Sequence, residues 1–200
     1  MIAAHYNHPS IYIWGILNEC ASDTAYGREC YKTQLELIKS LDVTRPRSFS
    51  SCRFKTDICF DLVDVVSYNI YPKWYHNTPV AMYLDDLYKW IQTTPGEGKP
   101  FLITEVGAGA IYGYRTPAKV KWSEEYQVQA LEEQLNAILS YNDCSGVYIW
   151  QFCDVRVTND WWNTRPRTMN NKGIVDEYRR PKLAYETVKK IFSSVDTYRE

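Results

Sequence analysis

The chain has 200 residues, 45% hydrophobic and 24% charged, with 23 basic against 24 acidic side chains. That length is enough for one domain with a sizeable core. The near-zero net charge gives no electrostatic footing for nucleic acid or an anionic membrane surface, and no apolar stretch approaches the length of a membrane span.

In chain order, Met1 to His8 lacks a basic region followed by an apolar one, so no signal peptide is expected there. Residues 10–17 predict a buried strand that stops abruptly at Asn18-Glu19. A helix is predicted over 26–41, with Tyr31, Leu35, Ile38 and Leu41 on one face. A weak strand follows at 47–51, then a brief connection through Phe60 and Leu62, then a better strand at 65–69. Thr78-Pro79 is a helix start, with Thr78 as N-cap and Pro79 at the first helical position. That helix should reach about Gln92 and bury Leu84, Leu87 and Ile91. After the turn Pro95-Gly96-Glu97-Gly98, residues 100–104 predict a strand that runs into Glu105. Ser123 caps a predicted helix to Tyr141, whose stripe is Val128, Leu131, Leu135 and Ile138. A strand at 146–150, a long loop from Cys153 to Tyr178 and a helix over 181–192 complete the chain.

Strands alternating with helices at this spacing indicate parallel βα units, and near-continuous apolar strands fit a sheet covered on both faces. A closed (β/α)8 barrel needs eight strands and typically about 250 residues. Five predicted strands therefore mean either an open α/β sheet or part of a barrel. No repeat, low-complexity tract or linker divides the chain, which reads as one domain.

The six cysteines form no C-x-x-C pair, and no His sits at metal-ligand spacing from them. With only three His, no metal and no cofactor are expected. The cysteines read as reduced thiols of a cytoplasmic protein. Seven Trp and seventeen Tyr would suit a sugar site, where ring faces cover pyranose faces, although composition alone favours plain packing.

Glu19 and Glu105 each close a buried-looking strand. A retaining glycosidase on a parallel barrel needs two such acids: one protonates the leaving oxygen, and the other, roughly 5 Å away, attacks the anomeric carbon. The surrounding motifs sharpen this. Asn7-His8-Pro9-Ser10-Ile11, then Trp14 and Asn18-Glu19, resembles the fourth barrel strand of glycoside hydrolase family 2. Asp64 to Tyr71, then Trp74-Tyr75, resembles its sixth strand. Lys99 to Ala108 resembles its seventh, and Val147 to Asp154 its eighth. Asn170-Asn171-Lys172-Gly173-Ile174-Val175-Asp176, with Arg180-Pro181-Lys182, resembles a signature of the β-glucuronidase branch. All five occur in the family's order and span nearly the whole chain.

The resemblance implies that residues 1–200 form the C-terminal part of a (β/α)8 TIM-barrel catalytic domain, about strands four to eight. The family's N-terminal sugar-binding and immunoglobulin-like domains and three earlier strands are absent from these residues. It implies Glu19 as acid/base, Glu105 as nucleophile and Tyr71 as the group positioning the nucleophile. Asn18 would meet the sugar 2-hydroxyl. Asn69, Trp74, Tyr75 and Trp150 would line the mouth. Asn170 and Lys172 would bind a C6 carboxylate, since a closed anion site calls for a cation and a neutral donor. Asp154, Arg156, Arg165 and Arg167 receive no role, and His5, His8 and His76 carry little weight. The expected activity is a β-glucuronidase working by double displacement. A β-galactosidase or related β-glycosidase, and a catalytically incomplete fragment or sugar-binding remnant, remain open. The expected partner is a β-glucuronide or β-galactoside, with a homo-oligomer covering exposed sheet edges.

Overall fold

The apolar runs become one sheet in the computed structural model, which describes residues 1–195. Its strands are β1 (Trp14–Asn18), β2 (Arg47–Ser51), β3 (Val66–Asn69), β4 (Phe101–Val106) and β5 (Cys144–Ile149), neighbours in chain order. β1–β2 and β2–β3 pair in parallel, with Trp14 opposite Arg47 and Ser51 opposite Tyr68. The helices are α1 (Ile2–His5), α2 (Ala25–Leu41), α3 (Val80–Ile91), α4 (Glu124–Leu139) and α5 (Leu183–Ser193). α2, α3 and α4 serve as crossovers, and a 3-10 turn at Phe60–Leu62 links β2 to β3. This is the expected succession of parallel βα units. By internal contacts the chain divides into two compact units. The first comprises Met1–Ile70, Tyr83–Thr104 and Asp143–Gly146; the second comprises Tyr71–Met82, Glu105–Asn142 and the chain from Val147 onward.

In the first unit, the Thr24 hydroxyl caps α2 by accepting from Gly27 N at 3.0 Å. A Cβ on Gly27 would stand 1.8 Å from the Ala21 carbonyl oxygen, so glycine is required. Tyr31, Leu35 and Ile38 are buried as predicted, and Tyr31 meets Phe49 edge-on at 4.6 Å. Leu41 is exposed instead, because the helix ends there and Asp42 takes the inward position. The Asp42 carboxylate accepts from Trp14 Nε1 at 2.8 Å, Thr44 Oγ1 at 2.6 Å and Arg45 Nη1 at 2.7 Å. One acid thereby fastens the end of α2 to the start of β1. Trp14 also closes a small apolar cluster with Ile2 and Ile38.

The expected strand at 10–17 begins only at Trp14. Arg45 Nε takes the Ile11 carbonyl at 2.7 Å, and regular pairing starts where Trp14 N donates to Pro46 O. β4 runs to Val106, so Glu105 is its penultimate residue rather than the first residue beyond it.

In the second unit, Ser123 caps α4 as predicted and Leu131, Leu135 and Ile138 are buried. The stripe also contains two buried amides. Gln127 donates to the carbonyls of Ala108 and Gly173 at 2.8 and 3.0 Å, and Gln134 to Pro72 at 2.7 Å. These side chains satisfy loop carbonyls that have no strand partner. The expected loop from Cys153 to Tyr178 is partly ordered. It holds β6 (Val155–Arg156) and β7 (Met169–Asn170), an antiparallel pair, with 3-10 segments at Asn159–Thr164 and Pro166–Thr168 between them. All six cysteines are free thiols. No helix among the described residues is long and apolar enough to cross a membrane.

The Thr44 hydroxyl, aided by the Trp14 indole and Arg45 against the effect of burial, holds the Asp42 carboxyl well below the usual carboxylate range. An unfolded Asp titrates near about 3.9, so this stabilisation is full above that pH and is lost as pH falls through the lower folded value. Asp42→Asn should lower the Tm at pH 7, and its deficit against wild type should shrink below about pH 4. Melting curves from pH 7 to pH 2 check this; a deficit that does not change with pH would contradict it.

Candidate active site

Polar side chains gather at the C-terminal ends of the strands, the end at which βα sheets carry their chemistry. In the first unit, β1 leaves regular geometry before it ends: its pairing with β2 shifts between Gly15 and Asn18, and Leu17 and Glu19 have φ of 62° and 55°. Positive φ is uncommon for residues with a side chain and is a strain seen where function demands it. Here it leaves both Asn18 and Glu19 exposed, while Glu19 N stays anchored on Ser50 O at 2.9 Å. Asn69, buried at the end of β3, donates through Nδ2 to Asn18 Oδ1 at 2.8 Å and to Glu19 Oε1 at 3.0 Å. Its own Oδ1 accepts from Thr104 Oγ1 at 2.8 Å. Three strand ends thus fix one acid. Thr104 is the member that sequence reasoning missed; it reads only as a residue of an apolar strand.

In the second unit, the Tyr71 hydroxyl donates to Glu105 Oε2. The carboxylate is held by a phenol that can itself shift with its loop only if the aromatic packing yields. That packing is extensive: Tyr71 meets Tyr75 edge-on at 5.3 Å and lies against a cluster of Trp74, Ala108 and Ala130. Lys172, only 3% exposed, sits within 5.3–5.6 Å of the ring centres of Tyr71, Trp74 and Tyr75, and its Nζ donates to Tyr75 Oη at 3.2 Å. Arg165 Nη2 reaches the same oxygen at 3.3 Å. Burial pushes the Lys172 ammonium below its ordinary range, against the pull of Tyr75, and Arg165 adds to the lowering. Burial alone would raise the Tyr75 phenol, but the Arg165 hydrogen bond and the Lys172 charge bring it below its ordinary value.

The Lys172 turn is held from beneath by a buried ion pair. Asp154 and Lys182 are 2.8 Å apart with both side chains fully buried. Lys182 Nζ also donates to Ala110 O at 2.6 Å and Asn171 O at 3.0 Å, and Asp154 Oδ1 accepts from Gly173 N at 2.8 Å. A Cβ on Gly173 would lie 2.5 Å from that oxygen, which explains the glycine. Burial raises the Asp154 carboxyl to about 6 although Lys182 opposes the shift. Asn170 turns its Oδ1 to Lys172 N at 3.3 Å. Trp150 is 39% exposed, and its N–H donates to Val106 O at 2.8 Å. Gly107 makes room for it, since a Cβ there would stand 2.2 Å from Trp150 O.

The residues singled out in the sequence therefore fall into two groups. Asn18, Glu19 and Asn69 meet in one unit, and Tyr71, Trp74, Tyr75, Glu105 and Lys172 meet in the other, with Asn170 beside Lys172. Arg167 turns away to Glu177. Arg165, which received no role, is beside Tyr75. Among the described residues no three His, Cys, Asp or Glu side chains are grouped to hold a metal.

Comparison with known proteins follows the same lines. The family profile described as "Glycosyl hydrolases family 2, TIM barrel domain" matches residues 1–197. A β-glucuronidase of Rattus norvegicus is 33% identical over 190 residues, covering 89% of this chain and 28% of that protein. A crystal structure of a GH2 β-galacturonidase from Eisenbergiella tayi bound to galacturonate is 76% identical with a TM-score of 0.98, covering 100% of this chain and 36% of that one. The β-D-glucuronidase of Dictyoglomus thermophilum is 27% identical with a TM-score of 0.89, covering 100% of this chain and 34% of that one. The chain thus spans about a third of the length of these relatives or less.

Lys182→Met should strand the buried Asp154 carboxyl and lower unfolding free energy by about 3–5 kcal/mol, whereas Lys182→Met with Asp154→Leu should recover most of the loss. Urea unfolding followed by tryptophan fluorescence measures both. A double variant as unstable as the single one would show that the pair is not what matters.

Proposed function

The chain belongs to glycosyl hydrolase family 2 and forms part of its TIM barrel domain, and we propose that it carries the chemistry of a retaining β-hexuronide hydrolase. The observation that carries this reading is the pairing of an oriented carboxylate, Glu105 on Tyr71, with a buried ammonium, Lys172, packed on the same tyrosine. A carboxylate held by one phenol is a nucleophile with a fixed approach. A cation sealed among aromatic rings, close to that nucleophile, suits a sugar that itself carries a negative charge.

In the proposed double displacement, Glu105 attacks the anomeric carbon while Glu19 gives its proton to the leaving oxygen. A glycosyl ester on Glu105 results and the aglycone departs as an alcohol. Glu19, now a carboxylate, takes a proton from water, whose oxygen displaces Glu105 and restores both groups. Asn18 binds the sugar 2-hydroxyl, and the hydrogen bonds from Asn69 hold Asn18 and Glu19 in register. Trp150 contributes an apolar surface for the sugar. Lys172, with Asn170, receives the C6 carboxylate. Among uronic acids, galacturonate takes first place because the relative at 76% identity is a β-galacturonidase whose structure holds galacturonate. Glucuronate is the second reading, supported by the β-glucuronidases at lower identity. The two sugars differ only in the direction of the 4-hydroxyl.

Aryl β-galacturonide, β-glucuronide and β-galactoside, offered to the full-length protein, test this reading. Both uronides should be hydrolysed well ahead of the galactoside, with galacturonide first. Glu105→Gln should lower turnover by about a thousandfold or more, because no glycosyl ester can form. Lys172→Ala should reduce kcat/KM for uronides by about 100-fold and leave the galactoside nearly unchanged. A Glu105→Gln enzyme of normal activity, or a wild type that prefers galactoside, would overturn the reading.

A further inference from the structure

Glutamine is an unexpected residue at the centre of a helix's apolar face. Gln134 lies in α4 on the stripe of Leu131, Leu135 and Ile138 and is fully buried with them. Its Oε1 is buried too and accepts no hydrogen bond among the described residues. A carbonyl left that way lowers stability, so packing alone does not explain this amide. Its Nε2 donates to Pro72 O at 2.7 Å and to Gly107 O at 3.3 Å. Turned round, the amide would set its oxygen against both carbonyls, so one orientation is fixed.

Those two carbonyls belong to the two arms of one hydrogen bond. Pro72 follows Tyr71, and Gly107 stands two residues after Glu105. The Tyr71 hydroxyl donates to Glu105 Oε2. Gln134 thus ties the backbones of donor and acceptor together from the helix side, and all of these residues lie in the second unit. The Tyr71 arm needs holding. Tyr71 O accepts from Trp74 N at 3.1 Å and Tyr75 N at 3.0 Å, a tight turn that puts Lys73 at a φ of 70°. A residue with a side chain is strained there, and the strain persists where the surroundings over-determine it. Three successive carbonyls of this turn are taken by side chains of residues 121–134: Pro72 O by Gln134, Lys73 O by the Tyr126 hydroxyl, and Trp74 O by Lys121 Nζ at 2.8 Å. Lys73 Nζ also meets Glu133 at 3.0 Å. Gln134 extends this grip to the strand end that carries Glu105.

We propose that Gln134 is a positioning residue for the nucleophile: by joining Pro72 O to Gly107 O it sets the distance across which Tyr71 holds Glu105. This rests on the double displacement proposed above, in which Glu105 attacks the sugar. Without the link, the Tyr71 turn is free to move relative to the end of β4, and the carboxylate loses its fixed approach. Gln134 is sealed from solvent and cannot touch substrate. Its loss should therefore slow the chemistry and leave sugar affinity nearly as it was.

The test uses the full-length protein with aryl β-galacturonide and aryl β-glucuronide. Gln134→Met removes the donor at similar length. It should lower kcat by about 30-fold for both uronides and change KM by less than about threefold. Tyr71→Phe removes the bond that Gln134 sets, so in that background Gln134→Met should lower kcat by less than about threefold more. Val188→Ala, a buried substitution in α5, reports a general loss of packing and should have the same effect in both backgrounds. Gln134→Asn keeps the amide one methylene short. It should give a smaller loss with the same dependence on Tyr71, and it carries the test if Gln134→Met does not fold. A Gln134→Met enzyme of wild-type kcat, or one whose loss is repeated in full beside Tyr71→Phe, would defeat the proposal. The underlying reading fails separately: a Glu105→Gln enzyme of normal activity sinks both, whereas an inactive Glu105→Gln beside Gln134 effects that ignore Tyr71 sinks Gln134 alone.

Discussion

The structure of the second unit depends on one fully buried ammonium group. Lys182 Nζ can sit in the interior only because three oxygens surround it: the Asp154 carboxylate, Ala110 O and Asn171 O. Moving an ion of this kind out of water without such partners would cost several kcal/mol. Each partner comes from a different stretch of chain, so satisfying the charge also decides where those stretches go. The chain following β4, the segment after β5 and the turn bearing Asn171 all converge on the residue that precedes α5. Gly173 completes the arrangement by donating to the same Asp154 oxygen. The turn that presents Asn170 and Lys172 is therefore fixed from its interior side, with no demand on the groups that face outward.

Within each unit the reactive-looking side chain is held by a neighbour rather than by its own backbone. Glu105 is held by a phenol and Glu19 by a carboxamide. Neither holder carries a charge; each orients its carboxyl by a hydrogen bond. The cations are treated in the opposite way. Lys172 is enclosed by three aromatic rings, and burial lowers it while the phenol of Tyr75 draws it back. Aromatic residues thus supply both the walls and the weak electrostatic counterweight.

Much of this was legible in the sequence, for identifiable reasons. β4, α2 and α4 follow local rules: a threonine or serine cap, a 3.6-residue stripe and a short apolar run after a turn. Glu19 and Glu105 stand out because polarity changes abruptly where an apolar run ends. What could not be read was set by distant partners. β1 starts late because an arginine 34 positions away in sequence takes the Ile11 carbonyl. β6 and β7 have two residues each, too few for any period to show. Gln127 and Gln134 look like surface residues of an amphipathic helix until the carbonyls they serve are seen. Arg165 and Tyr75 are 90 positions apart, and no spacing rule joins them. Thr104 is hidden for another reason: a threonine in a strand needs no explanation, so its hydroxyl draws no notice.

That hydroxyl has a consequence. Because Asn69 Oδ1 is committed to Thr104, the amide has one usable orientation, with its two hydrogens toward Asn18 and Glu19. Deamidation would replace those hydrogens with a second carboxylate oxygen, 3.0 Å from the Glu19 oxygen it now supports. A donor would become a like charge, and no rotation could undo the change while Thr104 holds the other end. Because Asn69 is buried, the new charge would also lack solvent, so one changed amide would both turn the support of Glu19 into repulsion and lower the stability of this corner.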